Sequence, residues 1–191
     1  KQLDKKQALE YSAYLDLENQ FFDKLTIRYG LRYSSFFRLG GEEISTYEDG
    51  KAVIYNPLYN IYEEGTPTGT ISYKKGQSIS NFNNFEPRAA ISFAFNDNTS
   101  IKASYNRMAQ YLHLLSNTAS PTPLDVWAPS DDYLKPQILD QVALGYFTNL
   151  NDDNYTLEIE TFYKKLKNRL DYIDGADLIA NDDIEQVVLN G

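Results

Sequence analysis

The sequence predicts an all-β fold, an antiparallel up-and-down transmembrane β-barrel segment of about six strands with long loops on one side. Three observations predict it. Apolar and polar residues alternate with a period of two through three separate hairpins. Short turns alternate with long polar connections along the chain. Aromatic residues are abundant, with 16 Tyr and 10 Phe in 191 residues, and they gather near strand ends. Period-two alternation sends successive side chains to opposite faces of a strand, so hairpins of this kind build a sheet with one apolar and one polar face. Tyr suits the border of such a face, because its ring packs while its hydroxyl stays hydrated.

The first hairpin covers about residues 7–38. Leu9, Tyr11, Ala13, Leu15 and Leu17 share one face of its first strand, and Glu10, Ser12, Tyr14, Asp16 and Glu18 share the other. In its second strand Leu25, Ile27, Tyr29, Leu31 and Tyr33 alternate with Thr26, Arg28, Gly30 and Arg32. The connection lies around 19–24, with Asp23 and Lys24 as the turn tip. The second hairpin covers about 85–107. Phe85, Pro87, Ala89, Ile91, Phe93 and Phe95 form its apolar row, Asn96, Asp97 and Asn98 its turn, and Ile101, Ala103 and Tyr105 the returning row. Pro87 falls near the predicted strand start, where a missing N–H is tolerated. The third hairpin covers about 138–166. Val142, Leu144 and Tyr146 pair with Tyr155, Leu157, Ile159, Thr161 and Tyr163 across a turn at 149–154, and Glu158 and Glu160 lie on the polar face.

Between the hairpins run long loops at about 39–84, 108–136 and 171–191, the second holding four of the seven prolines. Compact soluble domains seldom need repeated connections beyond about 12–15 residues, whereas membrane barrels have short turns at one rim and long loops at the other by construction. The patterns around 110–116 and 182–189 suggest short helices in two of these loops, the second with Asn181 or Asp182 as its N-cap. Phe21, Phe22, Phe95, Phe147 and Tyr155 lie toward the short turns, and Tyr33, Phe36, Phe85, Tyr105 and Tyr163 toward the long loops. Two such bands fit the interfacial girdles of a membrane barrel.

The charge balance narrows the function. A net charge of −9 argues against nucleic acid as a partner, since a phosphate-binding surface needs a basic stripe. With no Cys, a disulfide framework, a thiol nucleophile and a zinc–thiolate site are excluded. The mean hydropathy of −0.51 does not argue for a soluble protein, because alternating strands average to polar. The single His, His113, can neither complete a zinc site alone nor find a Ser-His-Asp order around it, so no enzyme, metal or cofactor is expected. Paired acids such as Asp131 and Asp132 offer oxygen ligands, but charge runs of this kind are usually solvated faces. Trp127 could stack on a ligand, although anchoring its own loop is the commoner use of such a ring. The candidate ligand contacts are therefore His113, Asn117, Trp127, Asp131 and Asp132. Arg28, Arg32, Lys102, Glu158 and Glu160 are the candidates to face a barrel lumen.

Several segments also carry a resemblance. Tyr14-Leu15, Asp23-Lys24-Leu25 and Tyr29-Gly30-Leu31-Arg32-Tyr33 resemble a barrel hairpin of TonB-dependent outer-membrane receptors. So do Pro87-Arg88-Ala89-Ala90-Ile91-Ser92-Phe93 and Ser100-Ile101-Lys102-Ala103-Ser104-Tyr105-Asn106-Arg107. Leu134-Lys135-Pro136-Gln137 is similar to that family's Pro-Glu strand entry, with Gln137 in place of Glu. The segments at 110–117 and 182–191 look like the Bacteroidetes branch. The resemblance covers nearly the whole chain. It implies a bacterial outer-membrane location and energy-coupled import of a scarce nutrient: a siderophore, haem, a glycan, a peptide or a vitamin. The partners it implies are outer-membrane lipid, the nutrient itself, and TonB acting through a plug and TonB box not present in this chain, with room for a surface lipoprotein. Family barrels have about 22 strands, so residues 1–191 are expected to be a partial barrel domain of a longer polypeptide. Alternation alone leaves open a soluble or cell-surface β-sandwich binding module, or a barrel with a scaffold role in an outer-membrane complex.

Overall fold

Strict alternation forces each strand to turn one side of itself away from water, and strands of like pattern satisfy that together by pairing in register. The computed structural model describes residues 5–115, 126–150, 154–176 and 183–190. In chain order the strands are β1 (Gln7–Phe21), β2 (Leu25–Leu39), β3 (Glu43–Tyr47), β4 (Val53–Asn56), β5 (Ile61–Glu64), β6 (Pro67–Ser72), β7 (Ser78–Asn96), β8 (Thr99–Gln110), β9 (Leu112–Leu115), β10 (Val126–Pro129), β11 (Gln137–Leu150), β12 (Tyr155–Lys167), β13 (Leu170–Tyr172) and β14 (Val188–Asn190). The long strands form one six-stranded antiparallel sheet in the order β1-β2-β7-β8-β11-β12. The wall is therefore an up-and-down meander of three hairpins, as the alternation predicts.

Register decides which residues share a face. Leu17, Tyr29, Ala89, Tyr105, Val142 and Tyr163 stand in one cross-strand row, and Phe21, Leu25, Phe93, Ile101, Tyr146 and Ile159 in another. Between them lies Ile27, Ile91, Ala103 and Leu144. This face stays bare of protein: Leu15 is 66% exposed, Ile91 48%, Ile159 58% and Tyr163 69%. The ten steps from Phe85 to Phe95 span about 33 Å of strand, which at a tilt of about 40° is about 25 Å along a membrane normal. That matches the apolar band of an outer-membrane barrel. The opposite face is polar and concave, its hollow lined by Glu18, Thr26, Arg28, Ser92, Lys102 and Glu160 among others.

The short turns meet at one rim. Phe22 and Asp23 both take positive φ, the sign pattern of a type I′ hairpin turn. Asn98 N–H donates to the Asn96 side chain at 3.0 Å in the second turn. Neighbouring hairpins are stitched there by Ala94 N–H to Lys24 O and Asn149 N–H to Asn98 O, both 2.8 Å. The tip of the third turn, 151–153, lies outside the described residues.

The structure corrects several expectations. The second hairpin is longer than 85–107, because β7 begins at Ser78 and β8 runs to Gln110. Pro87 is thus in mid-strand. It is tolerated because pairing with β8 starts only at Arg88, so no ladder bond is lost on that side. The loop at 39–84 is not irregular: β3 pairs with β6, and β4 with β5. The expected helix around 110–116 is instead β9, paired with β10, since β-hairpin geometry lets alternate residues of a short apolar run be buried. At 182–189, Asp183 precedes one 3-10 turn (Ile184–Gln186) and then β14, which pairs with β13. Phe147 and Phe36 belong to neither girdle, because both lie on the polar face: Phe147 lines up with Glu158 and Phe36 with Glu10.

The buried core sits beyond the sheet, among the loops. Leu115, Ala128, Leu134, Ile173, Ile184, Val187 and Val188 pack together, so the second and third long loops fold into a cap at the rim opposite the short turns.

Candidate functional site

Two surfaces could meet a ligand: the polar face of the wall and the cap above it. On the polar face the charges are paired across strands. Arg28 on β2 grips Asp16 on β1 through Nη2 at 2.7 Å and Nε at 3.2 Å. Arg32 reaches Glu10 at 3.3 Å and lies 3.8 Å from Glu86. Lys102 rests over the Phe147 ring at 4.6 Å from its centre. Gly145 stands opposite Lys102, and a Cβ there would come within 2.7 Å of that ring, so glycine makes room for the cation–ring contact. Arg28, Arg32, Lys102, Glu158 and Glu160 all lie on this face. Exposed pairs of this kind add little stability, so their effect is on the charge pattern of the hollow.

Where wall meets cap, the network is buried. Glu86, 5% exposed, accepts from Ser34 Oγ at 2.6 Å and from Ala109 N–H at 3.3 Å. The Tyr111 hydroxyl meets Ser34 Oγ at 2.7 Å and receives Asn84 Nδ2 at 2.8 Å, while its ring stacks on Phe36 with centroids 4.9 Å apart. Arg38, 1% exposed, bonds Glu42 and donates to the Gln7 and Leu39 carbonyls at 3.0 Å.

Within the cap, the Tyr47 hydroxyl donates to Glu185 at 3.0 Å, and its ring meets Tyr133 edge-on at 5.4 Å. Gln186 donates to Gly65 O at 2.7 Å, and Asn190 accepts from Lys135 N–H at 3.1 Å. These contacts tie all three long loops together. Burial pushes the Glu185 carboxyl above the usual carboxylate range, and donation from Tyr47 offsets part of that. Tyr47 itself is pushed well above a free phenol by burial and by the neighbouring Glu185.

The five ligand candidates separate. His113 is 1% exposed, with Nε2 at 2.7 Å from Ser130 Oγ and Nδ1 buried without a partner. Burial pushes its imidazole below the usual value. His113 is thus enclosed, not presented to a ligand. Asp131 caps its own turn, accepting from Tyr133 N–H at 3.0 Å and Leu134 N–H at 2.8 Å. Asp132 receives Ser80 Oγ at 2.9 Å, which ties the cap to β7. Trp127 stands opposite Leu114 in the β9–β10 hairpin, and its side chain is 58% exposed. Asn117 lies outside the described residues. Among the described residues no group of three His, Cys, Asp or Glu is placed to hold a metal. Sequence reasoning missed Tyr47, Tyr111, Tyr133 and Glu185, whose partners are far away in the chain. The signal for the three tyrosines was only that Tyr is an economical choice for a ring with a hydrogen-bonding end, and Glu185 had none.

A curved sheet with an apolar outer face about one membrane thick, a charged hollow within, and turns and folded loops at opposite rims is the wall of an outer-membrane β-barrel. The chain belongs to the family described as TonB dependent receptor-like, beta-barrel, whose match covers residues 3–186. No curated protein matches it, and no solved structure does. The family is one of outer-membrane transporters and not of enzymes; its members work with TonB and a nutrient ligand.

Proposed function

We propose that this chain is the wall and recognition cap of a barrel that captures one scarce nutrient at the long-loop rim and releases it inward when TonB rearranges a plug. The observation that carries the reading is the pairing of a lipid-type outer face with a loop cap that has a core of its own. A passive pore needs no such cap. The ligand class remains a siderophore, haem, a glycan, a peptide or a vitamin. The exposed Trp127 ring favours a ligand with a flat face. Arg28, Arg32, Lys102, Glu158 and Glu160 would line the passage. A surface lipoprotein is a further proposed partner, on the Bacteroidetes-type resemblance of 110–117 and 182–191. No catalytic step is assigned to the chain.

The test is uptake by cells carrying the full-length receptor. Dissipating the inner-membrane proton gradient should stop uptake and leave surface binding unchanged. Trp127→Ala should weaken binding about two- to tenfold, the worth of one lost stacking contact. Uptake that continues without the gradient and rises linearly with nutrient concentration would mean a passive porin.

A further inference from the structure

The outward face carries almost no charge, and what it carries is in one place. Every outward position of β1, β2 and β7 that pairs in the sheet is uncharged, from Leu9 to Phe21, Leu25 to Leu39 and Asn81 to Phe93. The charged outward residues of the sheet are Arg107 on β8, Asp140 on β11, and Lys165 and Lys167 on β12. These are three neighbouring strands, and all four residues lie at the long-loop end. Asp140 stands opposite both Arg107 and Lys165 in register. Three cations face one carboxylate in a chain whose net charge is −9.

Their height is fixed by the row beneath. Tyr105, Val142 and Tyr163 form the last uncharged outward row below the cluster, and Lys165 lies one outward step beyond Tyr163. That step is about 6.6 Å of strand, or about 5 Å along the membrane normal. By register Arg107 and Lys165 are level with Pro87, one step inside the Phe85 rim of the band, and Lys167 is level with Phe85 itself, so their long side chains reach up past the rim to the headgroup layer. Arg107 is held by Asp140, to which its Nη2 donates at 3.2 Å, and the Tyr105 hydroxyl donates to the same carboxylate at 2.7 Å. Lys165 and Lys167 have no carboxylate partner among the described residues and are exposed. On the same strand Lys164 points the other way and lies over Phe162 at 4.9 Å.

We infer that Lys165, Lys167 and Arg107 form a binding site for the phosphate of a lipid headgroup in the outer leaflet. Asp140 keeps the guanidinium extended along the wall, and the two lysines supply the mobile charge. Of these six strands, β8, β11 and β12 therefore hold a phosphorylated lipid, and β1, β2 and β7 do not. This goes beyond nutrient import and does not depend on it.

The experiment uses the purified full-length receptor in detergent micelles doped with diphosphoryl lipid A, with bound lipid counted by native mass spectrometry. Wild type should retain the lipid, and lipid A stripped of its phosphates should be retained weakly. Lys165→Gln/Lys167→Gln should weaken retention about thirtyfold, about fivefold for each lysine at a membrane surface. Lys165→Arg/Lys167→Arg should restore it, and Lys164→Gln should leave it unchanged. An undiminished signal in the double Gln variant overturns the site, as does an equal loss in Lys164→Gln. Displacement by excess inorganic phosphate would show a free-anion site and overturn the lipid assignment. If the double Gln variant fails to fold, the Lys165→Arg/Lys167→Arg variant against single Lys167→Gln decides the question in the same way.

Discussion

Ile91 offers the sharpest test of which face meets lipid. It lies opposite Ile27 and Ala103 in the sheet, with its side chain 48% exposed. Six strand steps separate it from Phe85 and four from Phe95, which puts it within about 3 Å of the mid-height of the band at about 2.5 Å of rise per tilted residue. An arginine facing lipid at mid-height costs about 2–4 kcal/mol, so Ile91→Arg should lower the unfolding free energy by that amount. The matched control is Ser104→Arg on the neighbouring strand. Ser104 lies in the polar hollow, between Ala90 and Ala143 in register, where a long cation finds space and water. That change should cost less than about 1 kcal/mol, as surface substitutions away from special features do. The assay is denaturant unfolding of the full-length receptor in lipid vesicles, followed by the tryptophan signal. Equal losses for the two variants, or the larger loss for Ser104→Arg, would refute the assignment of faces.

The cap supplies two pH predictions of opposite sign. The Glu185 carboxyl is raised above its unfolded value, so the cap is favoured below that value and loses stability as pH climbs through the folded one. Glu185→Gln, which still accepts from Tyr47, should therefore increase hydrogen-exchange protection of 184–190 at neutral pH and change nothing in strong acid; no change at neutral pH would count against a strained carboxylate. His113 is lowered, so its contribution is complete above the ordinary imidazole value and is lost as pH falls through the folded one. Mild acid should loosen β9 and β10, and His113→Gln should abolish that response; an unchanged acid response in the variant would place the titrating group elsewhere.

The wall was legible in the sequence because lipid on one side and polar contacts on the other force period-two alternation, and Leu25 to Tyr33 displays it without a break. The reading failed where that force ends. Residues 78–84 of β7 carry Ser and Asn on both faces, because above the membrane the outward Asn83 bonds Tyr33 and Ser35 instead of facing lipid. The β4–β5 hairpin escaped because Val53, Ile54 and Tyr55 run apolar without alternating. Phe36 and Phe147 were assigned to girdles from their closeness to strand ends, although parity with Arg38 and Gly145 already placed them inside. The cap contacts were out of reach for a different reason: Tyr47 and Glu185 are 138 residues apart, and nothing local in either segment specifies the other.

The parting of β7 from β8 has a mechanical consequence. Their ladder stops at Arg88 and Asn106, yet both strands continue toward the cap, so the wall carries a notch. Tyr111 fills it as a wedge, held by Ser34, Asn84 and the stacked Phe36, while Glu86 bridges to Ala109 in place of a backbone rung. A pull across the notch is therefore borne by a few side-chain bonds and not by a ladder of backbone rungs. Fewer bonds cross this notch than a continued ladder would supply, while β7 stays in register with β2 and β8 with β11 on either side of it.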